Sequence, residues 1–217
     1  MDMQAARSQM VHQQVRTWDV LDPRVLALLE SLPRDKFVPE PLRDFAYADM
    51  QLPLPHGEVM MQPKVEGRLL QALDPQANDS VLEIGTGSGF FAACLAKLAR
   101  EVLTVDIHPD FTENAAKPLK SLGLKNAKLE TRDGTRLDWL SARYDLIAVT
   151  GSLPVYDATY AQHLNVGGRL AMIVGESPVM EALLITRTAE DSYSRVALFE
   201  TDLPALVGAA APRHFRF

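Results

Sequence analysis

A glycine-rich segment near the middle of the sequence is the part most typical of ligand binding. The apolar run Val81 to Ile84 leads into Gly85-Thr86-Gly87-Ser88-Gly89, and an apolar helical pattern follows from Phe90. Glycines between a strand and a helix let a ligand approach the backbone closely, with amide groups at the helix N-terminus pointing toward it. The segment therefore predicts a binding site formed by Gly85, Thr86, Gly87 and Gly89.

An acidic residue stands at the end of the next predicted strand. Asp106 lies nineteen positions after Gly87 and follows the run Glu101 to Val105. A carboxylate there can accept hydrogen bonds from both ribose hydroxyls of a bound nucleoside. The glycine loop, Asp106 and the adjacent Ile107 therefore predict a nucleoside site. The alternative is that the glycines only form a tight turn and that Asp106 only caps a helix.

The loop also indicates which nucleoside is bound. The dinucleotide-binding fingerprint is Gly-x-Gly-x-x-Gly, whereas this sequence has Gly85-x-Gly87-x-Gly89, with Phe90 in the place of the third glycine. Glu83 puts negative charge near the ligand, which suits a sulfonium and an ammonium group and repels a pyrophosphate. The sequence therefore favours S-adenosylmethionine, with S-adenosylhomocysteine as its product, over NAD.

Two further segments are predicted to reach the same edge of the sheet. Asp133-Gly134 follows the third predicted strand, where an acid can accept a hydrogen bond from an adenine amino group. Asp and Gly are also good turn formers, so a plain turn is an equal alternative. Thr150-Gly151-Ser152 follows the fourth strand and is predicted to line the reaction site, again with an ordinary turn as the alternative.

The elements that must position these residues alternate between strand and helix. Such alternation is typical of a parallel sheet covered by helices on both faces. The last two strand-like runs have no helix between them and are expected to pair antiparallel. The sequence therefore predicts an α/β, Rossmann-like fold with a seven-stranded sheet whose last strand pair is antiparallel. The predicted strands are 80–84, 101–105, 126–131, 145–149, 169–174, 180–188 and 195–203, and the helices after the first two are 90–99 and 109–122.

The N-terminal part is predicted to be a helical extension. Residues 5–18 show helical spacing of apolar side chains, and Asp22-Pro23 is typical of a helix start. The proline-rich stretch 46–63, the substrate-side loop, is expected to be loop or edge strand, and connections of this length are more often functional than idle. Two parts are therefore predicted: residues 1–78, the helical region with the substrate-side loop, and residues 79–217, the Rossmann-like core.

Several longer runs of the sequence carry a family pattern. They are Pro33-Arg34-Asp35-Lys36-Phe37-Val38-Pro39, Ala46-Tyr47-Ala48-Asp49, Leu52 to Pro55, Val81 to Gly89, Asp133-Gly134, Asp145 to Thr150 and Leu164 to Leu170. In order and spacing these runs resemble the protein-L-isoaspartate O-methyltransferase family, over nearly the whole chain and more weakly after about residue 176. The resemblance implies a cytoplasmic protein-repair enzyme that transfers a methyl group from S-adenosylmethionine to the carboxylate of an isoaspartyl residue in a protein or peptide.

The sequence departs from the family pattern on the substrate side. The family's Thr-Ile-Ser-x-Pro motif, whose serine helps to hold the substrate, is replaced by Val59-Met60-Met61-Gln62-Pro63. Methionine offers no hydrogen-bond donor. Met60, Met61 and Thr150 are therefore substrate-side candidates, with no certain catalytic residue among them. The family's Val-Thr-Ala-Ala likewise becomes Val149-Thr150-Gly151-Ser152.

These changes leave three functions open. The chain is predicted to be an isoaspartyl methyltransferase, a methyltransferase of the same fold with a less polar protein or small-molecule acceptor, or a non-catalytic protein that binds S-adenosylmethionine. Met60 and Met61 favour the second function if they face the acceptor, because methionine adapts to varied apolar surfaces. The equal alternative is that both simply pack into the core.

The composition of the chain limits the kinds of partner that it is expected to bind. The formal net charge of −6 argues against a broad nucleic-acid-binding surface, and no apolar run reaches the roughly 20 residues that span a membrane. A single cysteine, Cys94, excludes an intrachain disulfide, and the polar N-terminus has no signal core, so a cytoplasmic location is expected.

The five histidines show no metal-ligand spacing, so no metal site is predicted and His56 is expected to be solvated. The basic, aromatic tail 212–217 is too short to argue for nucleic-acid binding.

Overall fold

The structure is a computed structural model that describes residues 2–210, so the tail 212–217 lies outside the described residues. Over this range, no helix combines the length and the apolar character needed to cross a bilayer. The helices are α1 (Met3–Met10), α2 (Pro23–Ser31), α3 (Pro63–Leu73), α4 (Phe90–Leu98), α5 (Pro109–Ser121) and α6 (Thr159–Gln162). The strands are β1 (Leu52–Pro53), β2 (Val59–Met60), β3 (Ser80–Ile84), β4 (Glu101–Asp106), β5 (Ala127–Thr131), β6 (Tyr144–Leu153), β7 (Leu164–Glu176), β8 (Val179–Ala189) and β9 (Ser192–Thr201).

Strands β3 to β9 form one seven-stranded sheet in the order β5-β4-β3-β6-β7-β8-β9. The pairs among β3 to β7 are parallel, whereas β7 with β8 and β8 with β9 are antiparallel. The predicted fold is therefore confirmed, including the antiparallel last pair. Since β3 has β4 on one side and β6 on the other, the sheet has a switch point at the carboxyl ends of β3 and β6. Open α/β sheets bind their ligands at such a point.

Strand β3 lies at the centre of the parallel part of the sheet, and all five of its residues are buried. A central parallel strand is covered on both faces and therefore needs apolar side chains on both. Glu83 is the charged exception, placed opposite Thr104 of β4 and Ala148 of β6. An acid at this position costs stability unless something pairs with it, so it indicates a role in the site rather than in packing.

The substrate-side loop forms a small hairpin, as the prediction of loop or edge strand allowed. Strands β1 and β2 pair antiparallel, with Leu52 opposite Met60, and a tight turn over Pro55–Gly57 joins them. Pro63 then starts α3 at the first helical position, where its fixed φ and missing N–H are no disadvantage. The loop is thus held between the sheet edge and the N-terminal helices. The division of the chain at residues 78 and 79 stays a prediction.

The helix predicted over 5–18 is regular only as far as Met10. Residues Val11–Val15 form a wider π-helical turn, and Arg16–Trp18 form a 3-10 turn. Val15 is fully buried against Gly67 of α3, where an added Cβ would lie 2.9 Å from Val15 Cγ1. The helix type therefore changes where this segment contacts α3. The periodicity of the sequence does not show that contact.

Strand β7 also begins earlier than predicted. The glycine pair 167–168 predicts a turn before the strand, yet β7 starts at Leu164 and includes the pair. A Cβ on Gly168 would lie 3.0 Å from the carbonyl oxygen of Asp145 and 3.1 Å from that of Tyr144. The glycine is needed because the backbones of β6 and β7 approach closely at an irregularity in their register.

A buried ion pair joins the N-terminal region to α3. The side chains of Arg34 and Glu66 are 1% and 2% exposed and form a salt bridge. Arg34 also donates from Nη2 to the carbonyl oxygen of Met61 at 2.5 Å, and its guanidinium lies 4.8 Å from the ring centroid of Phe90. One side chain thus connects the substrate-side loop to α3 and α4.

Removal of this arginine is expected to destabilise the protein strongly. Arg34→Ala leaves the carboxylate of Glu66 buried without its partner, and breaking a buried pair in this way costs about 3–5 kcal/mol. Urea-induced unfolding measures the change. The matched control is Arg43→Ala, which removes an exposed pair with Glu40 and is expected to cost less than about 0.5 kcal/mol. Equal effects of the two substitutions would contradict the structural role given to Arg34.

Candidate functional site

The glycine loop connects β3 to α4 at the switch point of the sheet. Gly85, Gly87 and Gly89 all have positive φ, at 105°, 48° and 81°, a region that side chains with a Cβ rarely adopt. A Cβ on Gly85 would lie 2.6 Å from Thr150 Oγ1, and one on Gly89 would lie 2.5 Å from the Cβ of Ala115. The loop therefore packs tightly against the end of β6 and against α5.

Asp106 ends β4 and is bonded to the glycine loop. The amide of Gly87 donates to Asp106 Oδ2 at 2.9 Å, and the amide of His108 donates to Oδ1 at 3.0 Å. The second bond goes to the residue before α5, and no side chain of residues 2–210 caps the start of this helix, so the alternative role of Asp106 as a helix cap is not observed. Each carboxylate oxygen has a further lone pair, and Asp106 lines the cavity beside the loop. The residue can thus hold the loop and still accept hydrogen bonds from a ligand.

Glu83 lies behind the loop and is fully buried. Neither of its carboxylate oxygens has a hydrogen-bond partner among residues 2–210. Burial is the main cause that raises the pKa of Glu83 to about 8, and the negative charges of Asp106 and Glu66 raise it further. The Thr104 hydroxyl on the neighbouring strand acts the other way and lowers this pKa, but that hydroxyl is itself hydrogen-bonded to Thr86. A cationic group of a ligand would reverse the rise, because it favours the ionised carboxylate.

Asp133 and Gly134 form the turn after β5. Asp133 Oδ1 accepts from the amide and the hydroxyl of Thr135, at 2.9 and 2.7 Å. Gly134 lines the cavity, and a Cβ there would lie 2.2 Å from Ile84 Cγ2. These contacts fit the turn-forming interpretation, and the hydrogen bond from Asp133 to an adenine stays a prediction.

A cavity of about 70 Å³ lies at the carboxyl ends of β3, β4 and β6. It brings together seven of the predicted site residues, namely Gly85, Gly87, Asp106, Ile107, Gly134, Thr150 and Gly151. Sequence reasoning missed other residues of its wall. Glu58 and Val59 belong to a loop assigned to the substrate, and residues 206–207 lie where the family resemblance has weakened. The further lining residues are Glu58, Val59, Ile84, Val105, His108, Phe111, Arg132, Thr135, Leu206 and Val207.

Glu58 adds a second carboxyl group to this wall. It is half-buried in the chain between β1 and β2, and burial followed by the charge of Asp106 raises its pKa. The cavity therefore has acids on two sides, Asp106 from the sheet and Glu58 from the substrate-side loop. Such a wall suits a ligand with hydroxyl groups or positive charge.

A second, smaller cavity of about 30 Å³ lies between the glycine loop and the substrate-side loop, lined by Met60, Met61, Glu83 and Thr150 among others. Met60 and Met61 are only 3% and 5% exposed, so both pack into the core while still facing this cavity. The hydroxyl of Thr150 is the donor to two carbonyl oxygens. Its Oγ1 atom lies 3.0 Å from the oxygen of Ile84 and 2.7 Å from that of Gly85. It fixes the start of the glycine loop, and its role toward a substrate stays a prediction.

The fold also brings together His56, His108 and Asp110. The two imidazole rings stack with centroids 3.9 Å apart and planes at 4°, and His56 Nε2 lies 3.0 Å from Asp110 Oδ1. One possible ligand atom from each residue lies within 4.8 Å of the others, a proximity that sequence spacing does not reveal. Parallel rings direct their nitrogen lone pairs along separate planes, which suits a shared metal ion poorly. We therefore interpret the group as a contact that holds the substrate-side loop, with exposed His56, against α5.

The chain matches known proteins over most of its length. The family model for protein-L-isoaspartate(D-aspartate) O-methyltransferase matches residues 5–203. Protein-L-isoaspartate O-methyltransferase 1 of Rhodopseudomonas palustris (strain HaA2) is 38% identical over 94% of this chain and 84% of that protein. Protein-L-isoaspartate O-methyltransferase of Rhodopseudomonas palustris (strain ATCC BAA-98 / CGA009) is 38% identical over 92% of each.

A solved structure shares the fold. A Plasmodium falciparum structure described as a protein-L-isoaspartate O-methyltransferase, in complex with S-adenosyl-L-homocysteine, has a TM-score of 0.77 and 18% sequence identity. The match covers 92% of this chain and 97% of that one. The family model and the Rhodopseudomonas relatives, which agree over nearly the whole length, show that this chain belongs to the protein-L-isoaspartate O-methyltransferase family.

Proposed function

We propose that the protein transfers the methyl group of S-adenosylmethionine to a carboxylate of a protein substrate, with an isoaspartyl residue as the leading acceptor. The observation that carries the proposal is the buried, unpartnered carboxyl of Glu83 behind a glycine loop that is bonded to Asp106. The relatives named for this reaction support the choice of acceptor. A cytoplasmic location, expected from the sequence, belongs to the same proposal.

The donor set of the site fits this cofactor. S-adenosylmethionine supplies an electrophilic methyl group on a positively charged sulfur. Glu83 would face its cationic methionine part, which Gly85, Thr86, Gly87 and Gly89 would hold through the backbone. Asp106 would accept hydrogen bonds from the ribose hydroxyls. Ile107, Asp133 and Gly134 would contact the adenine.

The acceptor requires alignment more than acid–base chemistry. A substrate carboxylate is already ionised at neutral pH, so its oxygen can attack the methyl carbon while the bond from that carbon to sulfur breaks, without a general base. Holding the two reactants in line can contribute about 7–11 kcal/mol to the lowering of the barrier. The backbone of the substrate-side loop, fixed at the Met61 carbonyl by Arg34, would provide part of this alignment.

One observation favours a different acceptor. The family motif has two hydroxyl side chains where this chain has Val59 and Met61, and Met61 is buried. An apolar wall gives a substrate carboxylate no hydrogen bond. A less polar protein site or small molecule is therefore the second candidate, and a cofactor-binding protein without catalysis is the third.

Methyl transfer to a peptide separates these candidates. We expect saturable transfer of labelled methyl from S-adenosylmethionine to an isoaspartyl peptide and none to the aspartyl peptide of the same sequence, because only the former matches the family acceptor. Calorimetric titration of S-adenosylhomocysteine is done in parallel. Cofactor binding without transfer to either peptide would sink the isoaspartyl assignment and leave the other two candidates.

The ribose assignment is tested at Asp106. We expect Asp106→Ala to weaken S-adenosylhomocysteine binding by about 1–3 kcal/mol, the usual cost of removing a charged hydrogen-bond partner. Calorimetry gives the affinity, and thermal unfolding checks that the variant is folded. Asp44→Ala, at an exposed acid away from the cavity, is the control. An unchanged affinity in a folded Asp106→Ala protein would refute the assignment.

Glu83 makes the stability of the free protein depend on pH. Burial raises the pKa of Glu83 from the ordinary 4.5 to about 8, so the folded chain keeps a proton that the unfolded chain releases. The free energy of unfolding should therefore fall as the pH rises from about 4.5 to about 8. Glu83→Gln should remove this part of the decrease while weakening cofactor binding.

Urea unfolding of the wild type and of Glu83→Gln across this pH range gives the difference between their free energies of unfolding. The contributions of other groups cancel in this difference. Glu113→Gln, at an exposed position on α5, should show the wild-type dependence. If the wild-type and Glu83→Gln curves run parallel, the carboxyl of Glu83 is not held protonated by burial.

A further inference from the structure

Strand β9 forms one edge of the sheet, because within residues 2–210 it pairs with β8 and with no other strand. It is ten residues long, and Ser192 to Ala197 are all exposed. In the same range, one hydrogen bond reaches β9 from outside β8, at 3.4 Å from Arg68 Nη2 to the carbonyl oxygen of Leu198. The outer backbone of this strand is therefore open to pairing with another strand.

The opposite edge of the sheet is protected in a way that β9 is not. Strand β5 has only five residues. The charged side chains of Lys128, Glu130 and Arg132 lie along it and just after it, joined by salt bridges of 2.6 and 2.5 Å. Short length and charged side chains both discourage pairing at an edge strand. The first eight residues of β9, in contrast, hold one charge, that of Arg195.

Apolar side chains stand on both faces of this open edge. Val196 is 54% exposed and lies opposite Leu184 of β8, whereas Tyr193 is 39% exposed and lies opposite Arg187. Successive residues of a strand point to opposite faces, so Val196 and Tyr193 are on different faces of the sheet. A strand added at this edge would place its own side chains beside both of them.

A bulge in β9 determines which of its side chains share a face. The register with β8 shifts at Leu198, which is the additional residue. Arg195 lies opposite Ile185, and Glu200 lies opposite Glu181. Positions 181 and 185 point to one face of β8 because side chains alternate along a strand. The bulge therefore places Arg195 and Glu200 on the same face, although an odd number of positions separates them.

The charges on this face are not balanced within one chain. Glu200 and Glu181 are both exposed and directly opposite each other, and like charges in this arrangement destabilise a strand pair. Neither forms a salt bridge with any of residues 2–210, and nor does Arg195. The guanidinium of Arg195 lies instead 5.3 Å from the ring centroid of Tyr156. A positive side chain on the outer side of Glu200 would offset the repulsion.

The edge of β9 is complementary to itself in the antiparallel direction. A two-fold axis perpendicular to the sheet at the bulge brings Arg195 of each copy opposite Glu200 of the other. The same axis brings Val196 opposite Phe199. Directly opposite residues must point to the same face, and the bulge satisfies this condition for both pairs, since Val196 and Phe199 share the other face. Each pair occurs twice, because a two-fold interface is isologous.

We propose that β9 is a dimerisation edge, at which a second copy of this chain adds its own β9 in the antiparallel direction. Main-chain hydrogen bonds between the two strands supply affinity, and the two pairs of Arg195 with Glu200 set the register. Among the described residues, none from β9 lines the cofactor cavity. The inference therefore goes beyond the proposed function and stands whether or not the protein transfers methyl groups.

Charge reversal tests the proposed dimer. Sedimentation equilibrium of the full chain should show a dimer that dissociates on dilution. Its dissociation constant should be on the order of micromolar, because one strand pair buries little area. Arg195→Glu and Glu200→Arg should each raise this constant about ten- to thirtyfold, because two attractive pairs become two repulsive ones. An equimolar mixture of the two variants should associate about as well as the wild type, because every reversed side chain then faces an opposite charge.

Lys128→Glu is the control, because it reverses a charge on the opposite edge strand and should leave the dissociation constant unchanged. Thermal unfolding of dilute samples checks that each variant is folded. Glu200→Arg should unfold at no lower temperature than the wild type, since it removes the repulsion by Glu181 within one chain. Arg195→Gln and Glu200→Gln, which remove a charge without reversing it, should weaken the dimer less and replace a reversal variant that does not fold.

Three results would overturn the inference. They are a wild-type chain that stays monomeric up to roughly 1 mM, a dimer that neither reversal weakens, and reversal variants that fail to associate with each other when mixed. Calorimetry with S-adenosylhomocysteine reports on the cofactor cavity separately. A failure of the proposed function is therefore distinguishable from a failure of the dimer.

Discussion

Strand β3 pairs in parallel with β4 on one side and β6 on the other, and this arrangement fixes where every part of the site lies. Parallel strands end at the same edge, so the turns that follow β3 and β4 converge with the last residues of β6, which extends to Leu153 rather than ending at the predicted residue 149. The hydroxyl of Thr150 then bonds the carbonyl oxygens of Ile84 and Gly85, while Asp106 accepts from the amide of Gly87. The glycine loop is therefore supported from both neighbouring strands.

The two halves of the site use buried charge in different ways. On the substrate side, Arg34 pairs with Glu66 and holds the carbonyl of Met61, so the backbone of the loop is fixed independently of its side chains. On the cofactor side, Glu83 forms no such pair with any side chain of residues 2–210. Within this range the chain thus pairs Glu66, which has a structural role, and leaves Glu83 unpaired.

Local patterns in the sequence were sufficient to predict the fold and to place the glycine loop and Asp106 at one edge of the sheet. The apolar runs of the strands, the glycines from Gly85 to Gly89 and the acid Asp106 interact with near neighbours in a topology that is largely determined by strand and helix alternation. Other features depend on contacts between distant segments. Neither the stacking of His56 on His108 nor the packing of Leu206 on Gly151 leaves a periodic signal. The departures at residues 151 and 152 were visible in the sequence, but their reason lies some fifty residues away, in the segment that they bind.

The unpaired carboxyl of Glu83 also connects the supply of cofactor to the survival of the protein. A ligand that binds only the folded chain stabilises it by mass action, by about 2.7 kcal/mol at a hundred times its dissociation constant. A cation that pairs with Glu83 favours the ionised carboxylate, which burial alone disfavours. When S-adenosylmethionine is scarce, a larger fraction of the chains would be unfolded at any moment and open to proteolysis. The abundance of this protein would then follow the level of the methyl donor.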